Sequence, residues 1–139
     1  MSPRIPVPLG SDRYHDCLTL QALLQGTQWM PIQAANWSDM FKLARQVHAP
    51  VILYDRDLPG LEWQKGIPRL VGASSTPCLI LLSDVSDPYL WDELVLHGGF
   101  DVLARPFHRE GVLAMLDFAH THWKTRWPSR PNGQFEALA

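Results

Sequence analysis

Apolar positions along the chain switch repeatedly between a strand-like and a helix-like spacing, the alternation expected of a sheet built from parallel crossover units. Ile5 to Leu9 reads as a first strand. Asp12 to Gln25 follows as a helix with Cys17, Leu20, Leu23 and Leu24 on one face, stopped by Gly26. Trp29 to Ala34 reads as a short second strand. A second helix near Asp39 to His48 carries Met40, Leu43, Ala44 and Val47 at helical spacing, with Asn36 or Ser38 as its cap. Val51 to Tyr54 and Cys78 to Leu82 are continuous apolar runs, which suit strands covered on both faces. The helix expected between them, Leu61 to Val71, contains Gly66 and Pro68 and should be short or broken. Asp87-Pro88 starts a fourth helix that Gly98-Gly99 stops, Phe100 to Leu103 makes a fifth strand, and Arg109 to Trp123 makes the last helix.

Residues 4–123 therefore form one α/β domain, and 124–139, with prolines, a glycine and no periodicity, read as a flexible tail or truncated linker. The first strand is unusual, because Pro6 and Pro8 each delete a ladder donor. Residues of equal parity in a parallel strand face the same neighbour, so both losses should fall on one flank and weaken the pairing there, unless the segment shifts. Pro31 is less awkward if the second strand lies at the sheet edge.

Composition narrows the picture. The 139 residues are enough for one core, and six Trp, five Phe and three Tyr argue against a disordered chain. Twelve Lys and Arg against fourteen Asp and Glu leave a net charge of −2, which disfavours direct nucleic-acid or anionic-membrane binding. No stretch is long enough to span a bilayer and no signal-peptide core follows Met1, so a cytoplasmic location is expected. Cys17 and Cys78 read as buried reduced thiols. His120 and His122 are two apart on a helix, share no face and make no metal pair.

Ligands of an open parallel sheet sit outside the carboxyl edge of its strands. That edge collects Ser11 and Asp12 after strand one, Asp55 after strand three, Ser83 after strand four and Arg105 after strand five. Two carboxylates, a hydroxyl and a cation suit a divalent metal ion with a transferred phosphoryl group: hard oxygen ligands, a hydroxyl donor and a positive charge for phosphoryl oxygens. The same residues could equally be a solvated loop edge.

Two segments resemble the response-regulator receiver domain of two-component signalling. Val51-Ile52-Leu53-Tyr54-Asp55-Arg56-Asp57-Leu58-Pro59-Gly60 follows that family's apolar strand, phosphoacceptor Asp and Leu-Pro-Gly turn. Gly98-Gly99-Phe100-Asp101-Val102-Leu103-Ala104-Arg105-Pro106-Phe107 is close to its Gly-Ala-x-Asp-Tyr-Leu-x-Lys-Pro-Phe segment, and Thr76-Pro77 precedes strand four as in the family. The resemblance implies a flavodoxin-like three-layer α/β/α sandwich with a five-stranded parallel sheet in the order 2-1-3-4-5. It implies Asp55 as phosphoacceptor, Ser83 as the hydroxyl switch with Leu82 as the competing match, and Arg105 in the place of the family's Lys. Mg2+ would be held by Asp12, Asp55 and the backbone carbonyl of Asp57. Arg105-Pro106 would be a cis peptide.

Such a domain is a signalling module rather than an enzyme. Its implied partners are a sensor histidine kinase or a phosphotransfer protein, and its output or homodimer surface would be the face of the fourth helix, fifth strand and fifth helix, near Trp91, Trp123 and Trp127. The departures point to an alternative. Ser11 replaces an acidic residue, which should weaken Mg2+; Arg105 is a planar fork rather than a compact ammonium; and Val102 stands where many receivers carry a switching aromatic. A phosphorylation-independent pseudo-receiver, acting as a protein-interaction domain, fits these. A flavin-binding flavodoxin-like protein is disfavoured, because the loop after strand one lacks a Ser/Thr/Gly-rich phosphate cradle.

Overall fold

A computed structural model of the chain describes residues 4–72 and 76–126. Strand and helix alternate as the apolar spacing requires: β1 (Ile5–Gly10), α1 (Tyr14–Leu24), β2 (Trp29–Ala34), α2 (Trp37–Val47), β3 (Val51–Asp55), α3 (Trp63–Val71), β4 (Cys78–Ser83), α4 (Pro88–Leu96), β5 (Asp101–Ala104) and α5 (Arg109–Arg126). The strands are parallel and ordered β2-β1-β3-β4-β5, which is the flavodoxin-like sandwich expected.

Strand pleating divides the core into two layers. Val51 and Leu53 of β3, with Cys78, Ile80 and Leu82 of β4, pack under α1 and α5 against Leu20, Leu24, Val112 and Leu116. The intervening residues Ile52, Tyr54, Leu79 and Leu81 face the other way, onto Met40 of α2, Ile67 and Leu70 of α3 and Leu94 of α4. Each such side chain, removed from water, contributes about 1.5–3 kcal/mol. Because both faces of β3 and β4 are covered, these strands read as unbroken apolar runs.

The prolines of β1 act on one flank, as parity requires. Ile5 donates to the Gln28 carbonyl and Ser11 to that of Ala34, so the odd-numbered amides of β1 face β2. The even positions, Pro6 and Pro8 among them, face β3. Accordingly β1 pairs with β2 along its whole length but with β3 only at Leu9 and Gly10, after the second proline. Pro31 costs nothing in the ladder. The Gln28 and Ala34 carbonyls that accept from β1 are even-numbered, so position 31 points to the open edge.

α3 is short, as expected, at nine residues, and runs unbroken through Pro68. α2 begins at Trp37 because Asn36 caps it, its side chain accepting from the Asp39 amide at 2.9 Å. Asp87 caps α4 in the same way, accepting from Leu90 N–H at 2.8 Å, with Pro88 in the first turn. Lys124 to Arg126, read from the sequence as the opening of a tail, are instead the end of α5, whose helical hydrogen bonds run three residues past Trp123. Trp127 and the rest of the expected tail lie outside the described residues. Both cysteines are free and buried. Among the described residues no helix is long and apolar enough to cross a membrane.

Candidate functional site

Parallel strands bring their carboxyl ends to one edge, so residues far apart in sequence meet there: the β1–α1 loop, the end of β3 and its loop, the end of β4 and the residue after β5. Asp55, the last residue of β3, is at the centre and is fully buried. Its Oδ2 accepts from Arg105 Nη2 at 2.7 Å and from the Ser11 hydroxyl at 3.3 Å, and stands 3.4 Å from Arg13 Nε. Its Oδ1 accepts from the Asp57 amide at 2.8 Å. Both oxygens are therefore occupied by the protein's own donors.

The contacts extend outward from this carboxylate. Arg105 also donates through Nε to Asp16 Oδ2 at 2.9 Å and reaches Asp84 at 3.3 Å. Arg13, which shares the Asp55 Oδ2 and Asp84 Oδ1 atoms with Arg105, lies 2.8 Å from Asp57 and 3.6 Å from Asp84. The inner part, Asp16, Arg105 and Asp55, is almost dry, whereas Asp57 and Asp84 are mostly in water. Burial by itself would lower the pKa of Arg105, but the Asp16 hydrogen bond and the charges of Asp55, Asp16 and Asp84 outweigh it and raise it. The guanidinium is thus held charged, and screening by salt reaches the outer pairs more than the inner ones.

The structure places the residues expected from sequence as follows. Asp55 and Arg105 meet directly, and Arg105-Pro106 is cis. Asp57 touches Asp55 through its amide while its side chain turns out to Arg13. Ser83 is buried at the mouth of β4, its carbonyl accepting from the Arg105 amide at 2.8 Å and its hydroxyl from Val85 N–H at 3.2 Å. Leu82, the competing match, is fully buried in the core layer under α1 and α5. Asp12 is exposed and makes no side-chain hydrogen bond or ion pair among the described residues, whereas the adjacent Ser11 turns its hydroxyl inward to Asp55.

Three charged residues of the site were missed from sequence: Arg13, Asp16 and Asp84. Asp16 carried a usable signal. It lies on the same α1 stripe as Leu20 and Leu24, at i, i+4 and i+8, and a carboxylate on an inward apolar stripe must find a cation.

The donor set does not fit Mg2+, which demands near-octahedral oxygen ligation. Asp55 Oδ2 is already shared by Arg105, Arg13 and Ser11 while Oδ1 accepts from the Asp57 amide, Asp12 is exposed, and Ser11 supplies a hydroxyl already used between the Arg13 amide and Asp55. Among the described residues no three His, Cys, Asp or Glu side chains are grouped to hold a metal ion.

No protein-family model matches the chain, and no curated protein does. Solved structures do share its fold. The signal receiver domain of an HD-domain-containing protein from Pseudomonas fluorescens Pf-5 superimposes with a TM-score of 0.82 at 18% identity, covering 94% of this chain and 96% of that one. The chemotaxis response regulator CheY4 of Vibrio cholerae gives 0.76 at 19% identity, over 84% and 98% of the two chains. The receiver domain of a sensor histidine kinase from Pseudomonas aeruginosa, with a magnesium ion coordinated in its active-site cleft, gives 0.75 at 18% identity, over 85% and 98%. At such identities the likeness establishes a receiver-type fold.

Proposed function

We propose that this chain is a receiver-fold signalling domain that works by protein contact, with Asp55 kept as a permanently ion-paired carboxylate rather than used as a phosphoacceptor. One observation carries the reading: the side chain of Asp55 is 1% exposed, and both of its oxygens are held by Arg105, Arg13, Ser11 and the Asp57 amide. A nucleophilic carboxylate must present an oxygen to the incoming phosphorus atom. Here Oδ2 is held by two guanidinium groups that also neutralise the carboxylate, and Oδ1 is held by the Asp57 amide. Contact with a partner would fall to the α4 surface, where Tyr89, Trp91 and Leu96 are exposed, and to Phe118 of α5; such aromatic and aliphatic side chains suit a protein interface.

The competing reading is that Asp55 accepts a phosphoryl group from a sensor histidine kinase or a phosphotransfer protein. It is favoured by the direct meeting of Asp55 and Arg105 at the edge that also carries Ser83. Incubation with acetyl phosphate and Mg2+, followed by intact-mass measurement, distinguishes the two. The expected result is an unmodified chain. A base-labile phosphoryl adduct that is absent from Asp55→Asn would overturn the interaction-only reading and put the acceptor reading in its place.

A further inference from the structure

We infer that the Arg13 guanidinium is a tethered cation that occupies the place a divalent ion would take, so that this pocket neutralises Asp55 from within the chain. Arg13 belongs to the short loop between β1 and α1, at the same edge as Asp55. Its three nitrogens divide among three carboxylates contributed by two other loops: Nε to Asp55 at 3.4 Å, Nη2 to Asp57 at 2.8 Å and Nη1 to Asp84 at 3.6 Å. A group that bridges carboxylates from separate strand ends does the electrostatic work of a bound metal, without the cost of stripping water from a small, doubly charged ion.

Arg105 cannot take this part. It approaches Asp55 from the side of Asp16, and its Nε and Nη2 are both spent there. The two arginines therefore share Asp55 Oδ2, Arg105 being the more buried at 13% exposed and Arg13 the more open to solvent at 35%. Four carboxylates, Asp16, Asp55, Asp57 and Asp84, face these two guanidiniums, so the pocket keeps a net negative charge that would draw a cation wherever donors were free. Of the donors on Asp55, Arg13 is the one whose side chain also holds both Asp57 and Asp84.

The inference concerns the pocket discussed above but does not rest on that functional reading, because cation binding is measured whether or not Asp55 is ever modified. The probe is Mn2+, with the free ion counted by electron paramagnetic resonance, and MgCl2 is titrated in parallel against the thermal midpoint. Wild-type chain, Arg13→Ala, Arg13→Lys and the double variant Arg13→Ala/Asp55→Asn are compared, with circular dichroism confirming the fold. Arg13 is in a loop and partly exposed, so its removal leaves the core intact.

Arg13→Ala is expected to bind Mn2+ at least about tenfold more tightly than wild type, Arg13→Lys to stay near wild type, and the double variant to lose the gain. Wild type binding as tightly as Arg13→Ala would overturn the inference. So would the absence of binding in both, which would mean that Arg13 keeps nothing out, or a gain that survives Asp55→Asn, which would place the ion elsewhere.

Discussion

Replacing Arg105 with Met perturbs the charge network where it is most buried. The Arg105 side chain is 13% exposed and stands 2.7 Å from each of Asp55 and Asp16, which are 1% and 8% exposed. At an effective dielectric of about 20, each contact carries roughly 6 kcal/mol of gross attraction, most of it offset by taking the ions out of water. Removal of the cation keeps the desolvation of both carboxylates and forfeits the attraction, a change that typically destabilises by about 3–5 kcal/mol. Arg13 still stands 3.4 Å from Asp55, which puts the expected loss at the low end, about 3 kcal/mol. Met retains much of the Arg stem, so packing contributes little to the difference. Urea unfolding at pH 7 measures the loss as a fall in midpoint at constant slope. In a double-mutant cycle with Asp55→Asn, the two losses should fail to add by at least about 1 kcal/mol. An additive cycle with a loss below about 1 kcal/mol, the range of exposed ion pairs, would refute the claim that Arg105 compensates buried charge.

Other expectations follow from the second core layer and from α5. The Tyr54 hydroxyl is buried with no hydrogen-bond partner among the described residues, and burial pushes its pKa up to about 12, so Tyr54→Phe should raise stability by about 1 kcal/mol in denaturant melts. Gly66→Ala should lower it by about 1–3 kcal/mol, because a Cβ there would stand 2.7 Å from that hydroxyl and 3.0 Å from the Trp37 ring. Combining it with Tyr54→Phe should recover part of the loss, and full additivity would count against this packing account. His120 packs edge-on against Trp29, and burial, then Lys124, lowers its pKa from 6.5. The unfolded chain therefore binds the proton first. Stability should be constant above about pH 6.5, fall as the pH drops below that value, and level off below the folded pKa. Unfolding curves taken across that range should show a shallower fall in His120→Gln, and an unchanged slope would assign the effect to other groups.

Much of this was legible in one dimension. The two prolines of β1 sit at equal parity, and parity alone required their missing donors to fall on one flank; only which flank awaited the sheet. Asp87-Pro88 announced a helix start through local chemistry that no tertiary contact needs to complete, and of the two caps open for α2, Asn36 or Ser38, it is Asn36 that serves. Gly66 and Pro68 signalled a short α3, and it is nine residues long; what keeps it continuous through them is tertiary. In the fold, the missing Cβ of Gly66 makes room for Tyr54 and Trp37, and the helix is held by the buried face of Trp63, Ile67 and Leu70. The end of α5 misled, since helical hydrogen bonding continues past the last apolar position.

The sequence by itself determined the order and kind of the elements and the arrival of Asp55 and Arg105 at one sheet edge, because side-chain period and strand polarity are local properties of the chain. Only the tertiary structure decided which charges meet there. Asp12 and Arg13 are neighbours in the same loop, yet the first points to water and the second to Asp55, and Asp16 finds Arg105 across 89 positions. Those choices depend on how β1, β3 and β5 stand relative to α1, and on the high cost of leaving a buried carboxylate without a cation.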